Sequence, residues 1–446
     1  MKSKITTVIA CVFLVLFSVS EVNAQRKGDN NSSSNKNTPT SKTVLPEYQE
    51  GGLAKKATIN INPVNGYDIS KLKAIETRLK EENERQKSEA VQFCLDNNLP
   101  IRKTLSNGGF AEISRILDDG TPIYIITTNA DAAISTRADY LNTGGGLGLD
   151  LNGDDITVHV WDGGHARATH QEYDGAGGAN RVTVMDAAAE GGLDLNFHAT
   201  HVTGTICASG VQAAAKGMAW QSDVRSYKWN NDSGEATGQT TASGINNNYG
   251  MLLSNHSYGY DATLIPDHWF GKYIGVSQTW DNIMYNAPYY LMVNSAGNDG
   301  SDNSSNGNPL GGNSSYDKLN GISTAKNNFV IANGNDANIN GDGSLASVTR
   351  NSSSSEGPTD DLRIKPDIMG NGTSLYSTLE TSNTAYGNLT GTSMSSPNVT
   401  GTLALLQEHY FDLHGVFMRA ATLKGLALHT ADDVTPANSN TATASL

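Results

Sequence analysis

The chain has 446 residues, a formal net charge of −14 at pH 7 and 46 glycines. At about 150 residues per domain, this length predicts two or three structural units and suffices for a full hydrophobic core. The acidic balance argues against a nucleic-acid partner, because such binding requires clustered Lys and Arg side chains.

Residues 1–24 have the pattern of a secretory signal peptide. Two lysines precede the apolar run Val8–Phe17, and Ala24 is a small residue suited to cleavage. A membrane anchor is the alternative, but the run is shorter than the roughly 20 residues that a span requires. The pattern therefore predicts a secreted protein, extracellular or periplasmic, with residues 25–45 as a polar, disordered linker.

Residues 46–135 differ in texture from the rest of the chain, with many Lys and Glu residues among regularly spaced apolar positions. Asp68 is placed to cap a helix with one apolar face. An Asp-Gly hairpin signal separates the strand-like stretches Phe110–Leu117 and Thr121–Thr127. These features predict a small α+β unit of one helix and a hairpin.

From about residue 136, apolar strand patterns alternate with helical patterns. The strand candidates are Ile156–Trp161, Val182–Met185, Val224–Trp229, Leu252–Ser254, Tyr289–Asn294 and Phe329–Ala332. Helices are predicted to begin near His198, Thr240, Ser277 and Ser393, with another over Ala420–Thr430. Such alternation predicts an α/β fold with a doubly wound, mostly parallel sheet, whose sites lie at the carboxyl ends of strands.

The chain holds three cysteines, Cys11, Cys94 and Cys207. Loss of the signal peptide and of residues 46–135 would leave Cys207 alone, so no internal disulfide is predicted in the remaining chain. Cys207 could make a thiol-sensitive site, but a small, buried apolar residue is the favoured interpretation. No Cys/His pattern with zinc spacing occurs.

The candidate chemistry centres on the segment Gly391–Gly401. Its Ser393 would lie at the start of a buried helix, where unpaired backbone N–H groups and a partial positive charge favour a developing oxyanion. An ordinary Ser/Thr helix cap is the alternative. A base and an orienting acid upstream distinguish the two interpretations, because a serine hydroxyl is unreactive until a base takes its proton.

Three motifs resemble those of subtilisin-like serine proteases. Gly-Thr-Ser-Met-Ser-Ser-Pro around Ser393 resembles the nucleophile motif, and His-Ala-Thr-His-Val-Thr-Gly-Thr from His198 resembles the histidine motif. The segment Ile156–Gly164 resembles the strand that ends in the catalytic Asp. The order Asp, His, Ser is that of subtilisin. The resemblance implies that Asp162 orients His198, which acts as the base for Ser393.

The resemblance extends to the oxyanion donor and the substrate segment. Asn298 matches the position whose amide donates to the oxyanion, with a common Gly-Asn turn as the alternative. Ser-Tyr-Gly after His256 resembles the segment that pairs with an extended peptide as an added strand. The substrate-binding residues that the resemblance implies are Ser257, Tyr258, Gly259, Ser295 and Gly297.

The chain departs from the family pattern at two places near these motifs. Ala199 stands where the family usually has Gly, and Asn398 stands where it has the His of Ser-x-x-Pro-His. The family often uses structural calcium, and the acidic loops Asp299–Asp302 and Asp336–Asp342 offer oxygen ligands. Neither loop has an ordered ligand pattern, so no metal ligand is assigned and catalysis is predicted to require no cofactor.

The resemblance implies a secreted serine endopeptidase that cleaves polypeptides through an acyl-enzyme. Residues 46–135 would then be its prodomain and intramolecular inhibitor, with an independent binding module as the alternative. A second hypothesis is metal-dependent hydrolysis, since four histidines cluster in sequence, although the His-Glu-x-x-His pattern is missing. A third is a non-catalytic binding protein on the same fold. No membrane span is predicted.

The end of the chain also differs from the family. Members usually continue into a segment rich in Gly and aromatic residues, whereas residues 435–446 are small and polar. We therefore predict that the catalytic domain, residues 136–446, is truncated or frame-shifted near Val434.

Overall fold

The computed structural model describes residues 67–104, 110–126, 135–174, 180–340, 343–433 and 444–445. The predicted signal peptide and linker lie outside these ranges, as does the tail at residues 434–443. The described residues belong to one compact unit. No helix in the described ranges is long and apolar enough to cross a membrane.

The described residues form helices and strands in alternation. The helices are α1 (Ile69–Asp96), α2 (Ala138–Leu141), α3 (Phe197–Cys207), α4 (Asp232–Gln239), α5 (Gly275–Asn286), α6 (Thr392–His414) and α7 (Ala420–Thr430). The first eight strands are β1 (Arg102–Thr104), β2 (Phe110–Ile116), β3 (Pro122–Ile126), β4 (Thr157–Asp162), β5 (Val182–Val184), β6 (Asp223–Lys228), β7 (Leu253–His256) and β8 (Gly259–Tyr260). The remaining strands are β9 (Leu291–Ser295), β10 (Phe329–Gly334), β11 (Asn338–Ile339), β12 (Leu345–Ser347), β13 (Ile368–Asn371), β14 (Leu375–Thr378), β15 (Tyr386–Leu389), β16 (Asp432–Asp433) and β17 (Ala444–Ser445).

The central sheet is doubly wound, as the alternation of elements predicts. Within the described residues its strand order is β5-β6-β4-β7-β9-β10-β13, and every neighbouring pair in this row is parallel. β17 and β16 extend one edge. Each predicted strand is present, and because the strands are parallel, their carboxyl ends meet at one edge.

Both faces of this sheet are covered, so residues on both faces of its central strands are buried. Every residue of β4 is buried. Val158 and Val160 belong to the core that contains the apolar side chains of α3 and α6, whereas Trp161 packs in the core that contains those of α1 and α5. The alternation follows the two-residue period of a strand, so the side chain of Asp162, the last residue of β4, lies on the same face as those of Val158 and Val160.

The N-terminal segment, defined as residues 67–126 apart from 105–109, has the predicted helix and hairpin. The Asp68 carboxylate caps α1 by accepting a hydrogen bond from the backbone N–H of Lys71 at 2.9 Å. β2 and β3 are antiparallel, and β3 pairs in turn with β8, with Ile125 opposite Tyr260. The N-terminal sheet therefore continues directly into the segment predicted to bind substrate.

The predicted helix start near Thr240 is wrong, because α4 ends at Gln239 and Thr240 follows as its C-cap. α4 has two glycines and is a weak helix former by sequence. The two glycines let α1 approach closely: a Cβ at Gly234 would meet Lys80, and one at Gly238 would meet Glu76. Tertiary packing thus decides where this helix forms.

Cys94 and Cys207 are both buried and neither takes part in a disulfide. Burial raises the pKa of the Cys207 thiol to about 11. A buried, protonated thiol is unreactive, so Cys207 is a packing residue, as the favoured sequence interpretation has it.

Helix α3 is held against β14 at Gly204, and this contact generates a testable prediction. A Cβ at Gly204 would collide with the hydroxyl oxygens of Ser377 and Thr378, whereas one at Gly425, which is exposed in α7, would meet nothing. We expect Gly204→Ala to destabilise the chain by about 1–3 kcal/mol, as overpacking does. Gly425→Ala should instead stabilise it by about 0.5–1 kcal/mol, as an exposed helical Ala does.

Denaturant unfolding of both variants beside the unmodified chain measures the two effects. Equal stability of the Gly204→Ala and Gly425→Ala variants would contradict the packing described for α3.

Candidate active site

Asp162 ends β4 at the carboxyl edge of the sheet, and its side chain is fully buried. One carboxylate oxygen accepts a hydrogen bond from the backbone N–H of Gly163 at 2.7 Å. A buried carboxylate is costly unless it is hydrogen-bonded and paired, so its remaining partners are informative.

The main partner of Asp162 is His198, in the first turn of α3. The imidazole Nδ1 lies 2.8 Å from each carboxylate oxygen of Asp162. Asn196 caps the helix by accepting hydrogen bonds from the backbone N–H groups of His198 and Ala199 at 2.9 and 3.0 Å. Because Nδ1 must donate to the carboxylate, the neutral ring carries its proton there and Nε2 is the basic nitrogen.

Ser393 lies in the first turn of α6, after Gly391, and is 1% exposed. Its hydroxyl donates to the carbonyl oxygen of Ser257 at 3.1 Å, and the Ser257 hydroxyl donates back to the Ser393 carbonyl at 2.7 Å. This reciprocal pair joins the start of α6 to the segment that follows β7.

Asn298 follows β9 and is anchored to the same helix. Its side-chain oxygen accepts a hydrogen bond from the backbone N–H of Thr392 at 2.9 Å. The Thr392 hydroxyl lies 3.2 Å from both the N and the O of Gly297. Because the amide oxygen is held in this way, the orientation of the Asn298 amide is fixed, with its NH2 group on the opposite side.

A small cavity of about 20 Å³ connects these segments. Its lining residues are Tyr258, Gly259, Tyr260, Ser295, Ala296, Gly297, Asn298, Asp299, Asn320, Ser323 and Ser393. Four of the five predicted substrate residues are among them, and Ser257 contacts Ser393 directly. Sequence reasoning placed Asp299 in an acidic loop rather than in this cavity, although its adjacency to Asn298 was a usable signal. It missed Asn320, for which the sequence offers no signal.

The predicted residues are thus brought to one edge of the sheet from distant parts of the chain. β4, β7 and β9 are adjacent parallel strands, and Asp162, Ser257 and Asn298 lie at or just beyond their carboxyl ends. His198 and Ser393 come from the two helices that begin nearby. A carboxylate, an imidazole, a hydroxyl and an amide in this arrangement suit acyl transfer.

The four clustered histidines do not form a common site, because each has its own partners. His165 bonds Asp186 at 2.9 Å, and His170 bonds the carbonyl of Ala385 at 2.9 Å. The Nε2 of His201 donates to the carbonyls of Leu375 and Gly387, and burial lowers the pKa of this histidine to about 3.

The described part of the chain contains no group of three or more Asp, Glu, His or Cys side chains placed to hold a metal ion. Within the acidic loop Asp299–Asp302, burial raises the pKa of Asp299 to about 7.

A stack of aromatic side chains lies directly behind Asp162. The ring of Trp161 stacks on those of Tyr227 and His256, with centroids 4.4 and 5.3 Å away. Its Nε1–H donates to the Glu235 carboxylate at 2.9 Å. Burial, assisted by the charge of Asp186, raises the pKa of Glu235 to about 8. Glu235 is thus a carboxyl group that the fold stabilises in its protonated form.

A second buried chain of hydrogen bonds holds the substrate segment. The Tyr258 hydroxyl donates to Asp232 and accepts from His256 Nδ1, both at 2.7 Å. His256 Nε2 accepts from the Ser254 hydroxyl at 2.8 Å. Burial lowers the pKa of His256 to about 3, so the ring is neutral, as this chain requires. These hydrogen bonds therefore hold the Tyr258 side chain in one orientation.

Comparison with known proteins identifies relatives of this chain. Residues 148–444 match the sequence profile of the Subtilase family. Subtilisin DY from Bacillus licheniformis is 30% identical over 260 residues, which are 58% of this chain and 78% of that protein.

Solved structures were compared with the chain as well. The Clostridium Perfringens CspB protease has a TM-score of 0.51 at 15% identity, covering 68% of this chain and 94% of its own. A cold adapted subtilisin-like serine proteinase has a TM-score of 0.44 at 19% identity, covering 72% and 98%.

The chain belongs to the subtilase family. Its seven-stranded parallel sheet with surrounding helices, counted over the described residues, is the α/β subtilisin-like fold. The protein is accordingly a serine peptidase, a hydrolase that acts on polypeptide substrates.

The raised pKa of Glu235 generates a prediction about the pH dependence of stability. Its pKa in the fold is above the unfolded value of 4.5, so the native chain holds more protons between pH 4.5 and 8. Stability from this group is present at low pH and is lost as the pH rises through 8. Glu235→Gln, which imitates the protonated acid, should therefore be close to the unmodified chain in stability at pH 5 and exceed it by several kcal/mol at pH 9, since one pKa unit corresponds to about 1.4 kcal/mol.

Thermal unfolding of the full chain, kept intact with a serine-peptidase inhibitor, measures this difference. Glu84→Gln, at an exposed position of α1, is the control, and its stability relative to the unmodified chain should be the same at both pH values. A Glu235→Gln variant that is less stable than the unmodified chain at pH 9 would contradict the assignment.

Proposed function

We propose that the chain is a secreted serine endopeptidase in which Asp162, His198 and Ser393 form the catalytic triad. The observation that carries the proposal is the pair of 2.8 Å contacts between His198 Nδ1 and the Asp162 carboxylate. This contact leaves Nε2 as the nitrogen that can take a proton, while the carboxylate stabilises the imidazolium.

In the proposed reaction, the Ser393 hydroxyl attacks the scissile carbonyl as His198 removes its proton. The tetrahedral intermediate collapses when the imidazolium gives that proton to the leaving amine, which produces an acyl-enzyme. Water, deprotonated by the same histidine, then attacks the ester and releases the acid. Asp162 remains ionised throughout and holds the tautomer that each proton transfer needs.

Asn298 is the proposed side-chain donor to the oxyanion. Two contacts support this role: its amide oxygen is held by Thr392, and the residue lines the same cavity as Ser393. A donor fixed before the reaction stabilises charge without reorganisation, together with the backbone N–H groups at the start of α6.

The segment Ser257–Gly259 is proposed to bind the substrate backbone as an added strand, with Ser295 and Gly297 on the other side of the cavity. In support, Gly259 and Tyr260 already pair with an antiparallel strand, β3. Because every peptide has the same backbone, this mode accommodates many sequences.

We further propose that residues 46–135 are an inhibitory prodomain and that residues 1–24 direct secretion. β3 covers the edge of β8 that a substrate would use, and Asn83 of α1 bonds the side chains of Asn231 and Ser233. A segment that occupies this edge competes with substrate until it is removed.

The test of the triad is labelling with a fluorophosphonate probe. Ser393 alone should be labelled in the enzyme that lacks the N-terminal segment. Ser393→Ala should abolish both labelling and casein cleavage without unfolding the chain, whereas Ser396→Ala, in the same motif, should still be labelled. Labelling at another residue, or full activity of Ser393→Ala, would contradict the proposal.

The same probe tests the prodomain. The intact precursor should be labelled far more slowly than the processed enzyme, because β3 blocks the edge of β8. Equal labelling rates for the two forms would leave only a binding-module role for the N-terminal segment.

The oxyanion role predicts a specific kinetic change. Asn298→Ala should lower kcat by about 10²–10³ with little change in KM, because the donor acts on charge that exists only in the transition state. Asn298→Asp is the matched variant, since it keeps an oxygen for Thr392 but has no N–H to donate. A change in KM alone, or an active Asn298→Asp enzyme, would argue against this role.

A further inference from the structure

An arginine of the N-terminal segment occupies a cage of aromatic side chains beside the substrate segment. Arg115 of β2 donates a hydrogen bond from its guanidinium to the Tyr260 hydroxyl at 2.8 Å. The guanidinium carbon lies 5.3 Å from the Tyr260 ring centroid and 5.2 Å from that of Trp269. These are cation–π distances to two rings at once.

The cage belongs to the catalytic part of the chain and is built before any substrate arrives. The rings of Tyr260 and Trp269 are 5.7 Å apart. The Tyr260 ring lies against the backbone at Gly321, where a Cβ would be 2.8 Å from two ring carbons. Packing against Gly321 therefore constrains the position of the Tyr260 ring in addition to its contact with Arg115.

A half-buried carboxylate adds negative charge to this cage. Asp232 accepts from the Tyr258 hydroxyl, and Tyr258 lines the same larger cavity, of about 790 Å³, as Asp232, Tyr260 and Trp269. Burial raises the pKa of Asp232 to about 6, and the Arg115 charge acts in the opposite direction. A cation in the cage thus favours the ionised carboxylate.

Arg115 fits the cage as a cation but not as a complete structural partner. In the described residues its Nε–H is buried without a hydrogen-bond partner. A structural arginine normally uses its planar fork on a carboxylate or on carbonyl groups. Here the two rings and one phenol supply most of the contact, which is the arrangement that recognises a cationic side chain.

The register of β3 tells on which side of the cleaved bond the cage lies. Ile125 is opposite Tyr260 and Ile126 is opposite Gly259, so β3 runs towards Ser257, whose carbonyl contacts Ser393. A substrate bound in the same direction would place residues near Tyr260 before the cleaved bond. Long side chains reach diagonal neighbours across such a pair of strands.

The charge of the catalytic part is complementary to a cationic substrate. Residues 136–446 hold 14 Lys and Arg against 30 Asp and Glu, a net charge of −16. Such a field concentrates positively charged peptides near the surface.

We infer that the cage of Tyr260, Trp269 and Asp232 binds an Arg or Lys side chain of the polypeptide substrate, on the N-terminal side of the cleaved bond. Arg115 holds this place in the precursor and leaves it with the N-terminal segment. The inference rests on the proposed function, since it requires both peptide cleavage and removal of that segment.

The experiment uses the processed enzyme and quenched fluorescent peptides that differ at one residue. Arginine is compared with citrulline, which has the same shape without the charge, at each position before the cleaved bond in turn. At one position we expect kcat/KM for arginine to exceed that for citrulline by about fivefold to tenfold. This ratio should fall as salt is added, since part of the attraction is long-range.

Variants locate the preference. Trp269→Leu and Tyr260→Leu should each reduce the arginine-to-citrulline ratio towards one, and Trp269→Phe, which retains a ring, should keep part of it. Tyr285→Leu is the control, because Tyr285 is an exposed tyrosine of α5 outside the cage, and it should leave the ratio unchanged.

Equal rates for arginine and citrulline at every position in the unmodified enzyme would overturn the inference, as would a ratio that Trp269→Leu leaves intact. Failure of the proposed function gives a different result, since the unmodified enzyme would then cleave none of the peptides. Cleavage of all peptides at equal rates would contradict cation binding by the cage but would leave the proposed peptidase function intact.

Discussion

The contact between His198 and Asp162 is the interaction on which the site depends. Both side chains are fully buried, and removal of either partner would leave the other without its main hydrogen bond in a dry interior. The contact exists because β4 is central in the sheet and ends at Asp162, while the Asn196 cap fixes the first turn of α3. The apolar packing of β4 and α3 therefore holds Asp162 and His198 at hydrogen-bonding distance.

The same edge of the sheet carries the contacts proposed for inhibition by the prodomain and those proposed for substrate specificity. Tyr258 and Tyr260 lie on the short segment after β7. The Tyr258 hydroxyl donates a hydrogen bond to Asp232, and the Tyr260 hydroxyl accepts one from Arg115. The proposed prodomain and the proposed substrate thus use one set of groups. A precursor that occupies its own specificity pocket has a direct physical route to inhibition, since release and substrate entry compete for the same surface.

Much of this arrangement could be predicted from the sequence. Asp162, His198 and Ser393 lie in continuous motifs, and the apolar strand patterns gave six of the seven parallel strands in the described sheet to within a few residues, because buried parallel strands are rich in apolar residues. The seventh strand, β13, was not among the predicted strands. α1 with its Asp68 cap and the β2–β3 hairpin followed from local signals of the same kind.

What the sequence could not predict depends on contacts between distant residues. The start of α4 was predicted too far along the chain, because its two glycines weaken the helical pattern in the sequence. Their role, close packing against α1, is visible only in the fold. Asn320 reaches the cavity and Arg115 reaches Trp269 through the fold alone. Local patterns carry no information on such pairings.

The central claim, that Asp162 acts through His198, is tested most directly by a double-mutant cycle on kcat/KM. Asp162→Asn, His198→Ala and the double variant are compared with the unmodified, processed enzyme. We expect Asp162→Asn to cause a large loss of kcat/KM in the unmodified enzyme and almost none when His198 is already replaced, because residues that act as a unit are strongly non-additive. Equal losses in the two backgrounds would contradict it.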